Sequence, residues 1–437
     1  MPTTTVAPCR VVPLGHAWAG SSVNCKPYAC EGLLQGQTGL FGAFYTDVGE
    51  LAVYFVDDST GRPRIARHAM PRAPIDAHDT PSLQLDPEGR LHVLCGAHVS
   101  LPTYLRSAPG GAPETLQNCT SELPQDMAQL TYPSLLSRGS RRDLFLLYRI
   151  GHPDCSDWSV RRWISNNPGQ WSDETTPIIR GRAATSWPAG PYLNQPIAFE
   201  DGSVGLAYVW RSSAVGGGKE DPRNIGLDFL LADDGFLRLT TGTGIELARP
   251  AAPANTERVL AIPWGADLAN QCGACALEDR FAAVVTCWRP PGGRRQIHFC
   301  WQDQTRAWRS RAITDFKRDF HMRGTGTLPS PHSRPIVIPV SGHRALVVYR
   351  DAVNGGRLVA KPMSGPNFAA SNHPRVVLIA GGLSQYEPVA ERLQSHRSGF
   401  LHLFIQRAEQ KLGGDEVEHR VSEPASLQSW HIEGLFR

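Results

Sequence analysis

The chain has 437 residues, enough for two or three domains of average size or for one large all-β body. Gly (42) and Pro (35) recur too often for long helices, which excludes helical bundles and coiled coils. An apolar fraction of 41% excludes a disordered chain, and no apolar run approaches the ~18 residues of a membrane span. The formal net charge of +3 is too small to indicate a nucleic-acid partner. We expect a soluble, turn-rich protein without nucleic-acid or membrane partners.

Cellular location is left open by the sequence. The N-terminal residues lack the charged and then apolar layout of a signal peptide, although the chain contains ten cysteines. A single glycosylation sequon at Asn118-Cys119-Thr120 is close to chance in a chain of this length.

Short apolar strands recur along the chain, and each opens with a polar residue that often adjoins a proline. These openings are Asn24, His78, Tyr132, Asn194, Asn270, Arg334 and Glu387, at spacings of 54, 54, 62, 76, 64 and 53 residues. Units of this length suit four-stranded antiparallel blades. The sequence therefore predicts one all-β domain over residues 1–437, a seven-bladed β-propeller. Residues 1–20 and the C-terminal tail are expected to help close the ring.

A second strand follows each opening and ends at a comparable place 16 to 20 residues later. In units two to seven these ends are His98, Arg149, Arg211, Arg289, Arg350 and Gln406. An outward and a returning strand bring both marked positions to the same end of a hairpin. In four units the end is an aromatic residue followed by Arg. Such pairs could ring one mouth of the propeller, or could only cap the blades through packing and cation–π contacts.

Two neighbouring units carry the side chains that are best suited to catalysis. His78 and His98 occupy both marked positions of one blade, and Tyr132 and Arg149 occupy both positions of the next. We therefore expect two imidazoles, a phenol and a guanidinium to converge at one side of the mouth. His92 lies in the middle of a strand and is interpreted as structural.

The order and spacing of several loose motifs resemble the BNR-repeat-like propellers. The motifs are Gly15-His-Ala-Trp-Ala-Gly-Ser-Ser-Val-Asn24, Asp76-Ala-His78, Asp86-Pro-Glu-Gly-Arg-Leu-His-Val, Tyr104-Leu-Arg-Ser107, Thr131-Tyr-Pro133, Tyr148-Arg149 and Tyr386-Glu-Pro388. This group includes seven-bladed polysaccharide lyases that act on ulvan and on rhamnose–glucuronate linkages, and also members of unknown activity. The resemblance implies β-elimination at a uronate by His78, His98, Tyr132 and Arg149. It also favours an acidic polysaccharide or oligosaccharide as substrate, and this substrate class favours an extracellular location. A closed propeller does not need a partner, so we expect a monomer.

These residue types suit the chemistry of elimination. A cation must neutralise the uronate carboxylate so that the C5 proton can be removed, and a guanidinium matches a carboxylate with two hydrogen bonds. We expect His78 to be the base, with His98 and Arg149 holding the carboxylate; the reverse order of the histidines is nearly as well supported. The same His or Tyr132 would protonate the leaving oxygen. The remaining predicted substrate-binding residues are Asn24, Asn194, Arg211, Asn270, Arg289, Arg334, Arg350 and Glu387.

Two other functions fit the same pattern. A sialidase-like hydrolase would use Tyr132 with Glu387, but no intact Ser-x-Asp-x-Gly-x-x-Trp box is present, and Ala232-Asp-Asp-Gly-Phe is its nearest remnant. A non-catalytic carbohydrate-binding propeller would only grip its ligand. The product distinguishes the three, because only a lyase leaves an unsaturated uronate.

A possible structural metal site lies in the fifth unit. Cys272 and Cys275 form a CxxC motif, and a turn centred on Gly292-Gly293 would place Cys287 opposite His298. Three thiolates and one imidazole would bind zinc tetrahedrally, with calcium as another candidate ion. The alternatives are a disulfide or ordinary buried thiols. No organic cofactor is expected.

Overall fold

Strands dominate the computed structural model, which describes residues 4–21, 30–34, 37–71, 78–138, 143–153, 155–164, 169–172, 177–182, 189–216, 222–277, 281–323, 327–390, 398–410 and 421–437. The helices in these ranges are short. Helix α1 spans Ile432–Leu435, and 3-10 turns span Pro113–Thr115, Thr120–Glu122, Gln125–Gln129, Val353–Gly355 and Phe368–Ala370. Across the same ranges, no helix has the length and apolar character that a membrane span requires.

The described strands pair into seven sheets, which we number in chain order. The first two strands join sheets that are completed near the C-terminus; they are β1 (Thr4–Thr5) and β2 (Arg10–Trp18). Sheet 1 contains β3 (Cys30–Leu34), β4 (Gln37–Tyr45), β5 (Leu51–Asp57) and β6 (Pro63–His68). Sheet 2 contains β7 (Ser82–Leu85), β8 (Leu91–Cys95), β9 (Thr103–Arg106) and β10 (Gln117–Asn118). Sheet 3 contains β11 (Leu130–Arg138), β12 (Asp143–His152), β13 (Cys155–Ile164), β14 (Gln170–Trp171) and β15 (Pro177–Arg180).

The later sheets follow the same plan. Sheet 4 contains β16 (Gly190–Leu193), β17 (Ile197–Ala198), β18 (Val204–Gly216), β19 (Pro222–Ala232), β20 (Leu239–Thr240), β21 (Glu246–Leu247) and β22 (Glu257–Leu260). Sheet 5 contains β23 (Ala274–Ala276), β24 (Ala282–Trp288), β25 (Gln296–Gln302) and β26 (Trp308–Ala312). Sheet 6 contains β27 (Ile336–Val340), β28 (Arg344–Asp351), β29 (Arg357–Ser364) and β30 (Val376–Ile379). Sheet 7 contains β31 (Val389–Ala390), β32 (Phe400–Gln406) and β33 (Ser422–His431).

The sheets form a ring with their first strands innermost. Contacts join β3 to β7, β7 to β11, β17 to β23 and β23 to β27, so the first strand of one sheet packs on that of the next. The N-terminus completes the ring, because β2 pairs with β33 as the outer strand of sheet 7, and β1 pairs with β30 of sheet 6. The predicted all-β propeller is confirmed, and the N-terminal strands close it as expected.

The hydrophobic core lies between neighbouring sheets. Phe44 of sheet 1 packs on Phe404 of sheet 7 with ring centroids 5.4 Å apart, so the first and last sheets are also in contact. Alternate residues of a strand point to opposite faces, and both faces of an interior sheet are covered by its neighbours. This explains why strands such as β5 are buried along their whole length.

An aspartate shapes several of the hairpin turns. The Asp86 carboxylate accepts a hydrogen bond from the Arg90 backbone N–H at 2.8 Å. Asp233 accepts one from Leu237 at 2.7 Å, and Asp303 accepts one from Ala307 at 3.1 Å. Aspartates favour turns because their side chains bond backbone N–H groups a few residues ahead. These hydrogen bonds fix the geometry of the turns, and thereby the register of the strands that the turns connect.

Candidate active site

Two histidines from sheet 2 lie face to face. The rings of His78, just before β7, and His98, just after β8, stack with centroids 4.1 Å apart and planes 20° apart. Both side chains are half-buried. The predicted hairpin therefore brings both marked positions of this blade together.

Tyr132 reaches the same place from sheet 3, with its ring centroid 5.6 Å from that of His78. Its backbone has φ of 56°, in the left-handed region, and the β11–β12 register shifts between Thr131 and Ser134. A bulge of this kind re-aims one side chain out of the regular ladder. Burial and the neighbouring Tyr192 raise the pKa of the Tyr132 phenol, although nearby arginines oppose the shift, so the phenol is protonated at neutral pH.

Arg149 lies beneath the tyrosines and is absent from the cavity wall. Its guanidinium carbon is 4.6 Å from the ring centroid of Tyr132 and 4.9 Å from that of Tyr192, and the residue is 0% exposed. Its three guanidinium nitrogens are buried. Burial disfavours the charge, but the two tyrosines outweigh burial and raise the pKa of Arg149. Because Arg149 contacts the two rings and does not line the cavity, a direct two-point grip on a carboxylate does not fit this geometry.

Hydrogen bonds lock the loop that carries His98. The Val99 N–H donates to Thr131 Oγ1 at 2.9 Å, which ties this loop to the bulge of Tyr132. The Ser100 hydroxyl donates to the Gly96 carbonyl at 3.2 Å. Sheets 2 and 3 are thereby joined at the residues that face each other in the site.

A buried tyrosine of sheet 1 joins the two histidine segments. The Tyr45 hydroxyl accepts a hydrogen bond from the Gly96 N–H at 2.9 Å and donates one to the Asp79 carbonyl. Gly96 stands two residues before His98, and Asp79 directly follows His78. Desolvation by burial raises the pKa of Tyr45, so the hydroxyl keeps the proton that it donates.

A cavity at this end of the ring extends from His78 across the later sheets, whereas His98 stacks on His78 and does not line it. Five of the six predicted strand openings that the structure describes line it: His78, Tyr132, Asn270, Arg334 and Glu387. Of the strand ends, Arg211 also lines the cavity. Its guanidinium carbon lies 5.7 Å from the Tyr192 ring centroid, so a cation stands beside the tyrosines on the cavity wall.

Arg334 and Glu387 form an ion pair in the cavity. The Arg334 Nε donates to Glu387 Oε2 at 2.7 Å, and Arg334 Nη1 donates to Gln271 Oε1 at 3.2 Å. Glu387 is therefore engaged by a cation, which does not favour its use beside Tyr132 as in a sialidase-like hydrolase.

Three other predicted substrate-binding residues have structural contacts and do not line the cavity. Asn194 Oδ1 accepts the Cys272 N–H at 2.9 Å. Arg289 pairs with Asp267 at 2.9 Å and with Asp319 at 2.5 Å. Arg350 donates to the carbonyls of Tyr386, Pro331 and Ser330. At Arg289 and Arg350 the aromatic-Arg pair therefore supports the blade. Asn24 lies outside the described residues.

The cavity also holds residues that the sequence did not single out. Tyr192, Arg223, Arg295 and His332 all line it. Tyr192 lies in β16, two residues before the predicted strand opening Asn194. An aromatic residue so close to a strand opening could have been predicted from the sequence to line the cavity. The other three follow no repeat position, and only the folded chain brings them to the wall.

The proposed Cys₃His metal set does not form. The register pairs Thr286 with His298 and Cys287 with Ile297, so His298 and Cys287 point to opposite faces of sheet 5. The His298 ring stacks on Trp288 at 3.4 Å, whereas Cys272, Cys275 and Cys287 lie in a hydrophobic cluster. Burial raises the pKa of Cys272 to about 12, which disfavours a thiolate. Among the described residues no group of three or more His, Cys, Asp or Glu side chains could hold a metal ion. These residues do not fit the expected zinc or calcium ion.

The ring of antiparallel sheets with a polar cavity at one end defines the protein as a β-propeller. The chain belongs to the BNR repeat-containing family, whose sequence profile matches residues 41–316. No curated protein sequence matches it.

Solved structures with a similar fold include two polysaccharide lyases. Polysaccharide lyase Uly1 has a TM-score of 0.65 and 13% identity, covering 94% of this chain and 91% of that one. The PL25 ulvan lyase bound to GlcA(1-4)Rha3S has a TM-score of 0.67 and 11% identity, covering 93% and 96%. A further structure of a PL25 ulvan lyase has the same TM-score and 12% identity. At these identities the likeness establishes the shared fold.

Proposed function

We propose that this protein is a polysaccharide lyase that cleaves a uronate-containing polysaccharide by β-elimination. The observation that carries the proposal is the stacked pair His78 and His98 beside Tyr132, with His78 and Tyr132 on the wall of an arginine-lined cavity. It supplies a proton acceptor, a proton donor and positive charge, the three requirements of the reaction. The fold shared with proteins named polysaccharide lyase and ulvan lyase adds support. A rhamnose–glucuronate or ulvan-type linkage is the proposed substrate.

The proposed reaction breaks one carbon–oxygen bond without adding water. His78 takes the proton from C5 of the uronate, and the C–H electron pair becomes the C4=C5 double bond. The C4–O4 bond breaks, and its electrons leave with the oxygen of the departing sugar. Tyr132, a protonated phenol, donates a proton to that oxygen. The products are an unsaturated uronate and a shortened sugar chain with a free reducing end.

We assign neutralisation of the carboxylate to Arg211 and His98. Arg211 lines the cavity beside Tyr192, whereas Arg149 is wholly buried behind the rings of Tyr132 and Tyr192. A guanidinium on the wall can form two parallel hydrogen bonds with a carboxylate. In this assignment Arg149 acts as a positioning residue that holds the Tyr132 ring and stabilises negative charge on it.

Three further features belong to the proposal. Each of the seven sheets is taken as one blade of a single domain over residues 1–437. The protein is proposed to act as a monomer, since a ring closed by its own N-terminal strand leaves no blade to be completed by a partner. An extracellular location would match a polysaccharide substrate.

A panel of uronate polysaccharides tests the activity. Purified protein is incubated with ulvan, gum-arabic-type rhamnose–glucuronate chains and glucuronan, and ultraviolet absorbance of the unsaturated uronate is recorded. We expect absorbance to rise with at least one polymer and to stay flat with reduced, carboxyl-free controls. Cleavage without absorbance would support a hydrolase, and binding without cleavage would support a carbohydrate-binding propeller.

A further inference from the structure

The only exposed tryptophan among the residues that the structure describes stands at the edge of the cavity. Trp264 is 56% exposed, and it lies in the connection between β22 and β23. The next residue, Gly265, lines the cavity, and so do residues 267–271. The chain therefore enters the cavity wall at Gly265, and Trp264 is the last residue before it.

A turn holds Trp264 in this exposed position. The Ala266 N–H donates to the Pro263 carbonyl at 3.4 Å, and Gly265 has φ of 80°. A positive φ at the third residue is typical of a type II turn, in which Trp264 is the second residue. Ile262 and Ala266 are buried in the hydrophobic core on either side of the exposed tip. The indole is thus presented by a turn whose two ends are anchored.

Backbone hydrogen bonds join this turn to both neighbouring sheets. The Gly226 N–H of β19 donates to the Ile262 carbonyl at 2.8 Å. The N–H of Arg289, directly after β24, donates to the Ala266 carbonyl at 2.6 Å. A ring on a fixed turn loses little conformational freedom when a ligand covers it, so more of the contact energy contributes to affinity.

The chemistry of an exposed indole suits the C–H face of a pyranose ring. Tryptophan offers a large, flat, apolar surface, and removal of such a surface from water is favourable. A sugar ring could cover the indole with its C–H groups and keep the hydroxyl and carboxylate groups at its edge in water. The polar cavity that begins at Gly265 favours a sugar as the occupant, because a polysaccharide leaving the cavity at this edge would pass over Trp264.

We propose that Trp264 is a stacking platform for one sugar ring of the polysaccharide, outside the unit that is bound at His78. The platform rests on the proposed carbohydrate substrate but not on the elimination chemistry. It would contact only chains long enough to reach the edge of the cavity, and so increase affinity for long substrates over short ones.

Binding to an inactive protein tests this proposal. In a His78→Ala background, isothermal titration calorimetry measures the affinity for a hexasaccharide and a disaccharide of alternating glucuronate and rhamnose. Trp264→Ala should weaken hexasaccharide binding about three- to ten-fold, the usual range for one aromatic contact, and leave disaccharide binding unchanged. Trp264→Phe, which keeps a smaller ring, should recover part of the loss. Because the indole is uncharged, the loss should be the same at low and at high NaCl concentration.

Fluorescence reports on the contact itself. The acrylamide-quenchable emission that is present in the His78→Ala parent and absent in Trp264→Phe belongs to Trp264. Saturating hexasaccharide should shield this emission from acrylamide. Equal quenching with and without the hexasaccharide would overturn the platform.

A matched control is Leu237→Ala. Leu237 is 65% exposed and follows the end of β19 that is remote from the cavity, since Arg223 at the start of this strand lines the cavity. This variant should bind both oligosaccharides as the parent does. Equal hexasaccharide affinity in Trp264→Ala and the parent, an equal loss on the disaccharide, or no binding by the parent would each overturn the platform. If the length-dependent loss is found but wild-type protein releases no unsaturated product, the platform stands and the lyase assignment fails.

Discussion

The imidazole rings of His78 and His98 stack at a centroid distance of 4.1 Å, although β7 and β8 separate them in the chain. The contact places two titratable rings of one blade beside Tyr132 of the next. Neither blade alone contains the site. The junction between sheets 2 and 3 is therefore the place where two imidazoles and a phenol meet.

Replacement of the proposed base, His78, should strongly lower turnover and spare binding. His78→Ala is expected to lower kcat by ~10²–10⁴-fold, the usual contribution of a general base, while KM stays within a few-fold. Initial rates of absorbance increase measure this. His16→Ala, on the exposed face of β2, is the control and should keep full activity. Full activity in both His78→Ala and His98→Ala would refute the assignment of the histidines.

The pH dependence of the rate provides a second check on the base. An imidazole accepts a proton only when it is neutral, so kcat/KM should rise from acidic to neutral pH. Rates measured from acidic to neutral pH, with an oligosaccharide that can saturate the enzyme, should show this increase in kcat/KM. A flat profile would be evidence against an imidazole base.

Tyr45 should affect the rate by positioning the histidine segments. Tyr45→Phe removes the hydroxyl that joins Gly96 to Asp79, and we expect a lower kcat with little change in KM. Tyr208→Phe is the matched control, because its buried hydroxyl contacts Thr256 away from the cavity. Both variants should lose stability to a similar extent in urea unfolding. Equal kcat values in the two variants would assign Tyr45 a purely structural function.

The functions of Arg149 and Arg211 can be distinguished with a methyl-esterified substrate. Arg211→Met should lower kcat/KM for the free uronate by about 10- to 100-fold, the value of a charge-assisted hydrogen bond, and have little effect on its methyl ester. Arg149→Met should impair both substrates, since it acts through Tyr132, and Arg149→Lys should retain more activity than Met. If only Arg149→Met responded to esterification, Arg149 would be the carboxylate ligand.

Buried neutral histidines should make the fold sensitive to acid. Burial lowers the pKa of His298, His332 and His402 to about 4 each, below the ~6.5 of an unfolded chain. The unfolded state then binds more protons between these values, so the free energy of unfolding should fall as pH decreases from ~6.5 toward 4. His402→Gln should reduce the difference in urea midpoint between pH 7 and pH 5. His431→Gln, at an exposed position, should leave it unchanged.

The sequence predicts best what the repeat determines. Strand openings and hairpin ends place His78, His98 and Tyr132 together because two-residue periodicity and hairpin geometry fix which residues share an end. Tyr132 also needed a bulge with positive φ, which the sequence does not signal beyond its adjacent Pro133.

Depth and register were harder to predict. Arg149 shares its pattern with Arg211, yet one is buried under two rings and the other reaches the cavity, which depends on the neighbouring blade. The strand pairing of sheet 5 is shifted by one residue from the prediction, because the turn centres on Gly292 and places Trp288 opposite Gln296. A one-residue shift in register moves every side chain to the other face, so the expected pairing of Cys287 with His298 was wrong.

The mass balance of the cleavage reaction tests the proposed elimination most directly. A defined uronate oligosaccharide is cleaved by the wild-type protein, and the molecular masses of both products are measured by mass spectrometry. Elimination predicts that the two masses sum to that of the substrate, with ultraviolet absorbance in the uronate product that is absent with His78→Ala. Products whose masses sum to the substrate plus one water, without that absorbance, would show hydrolysis and contradict the lyase assignment.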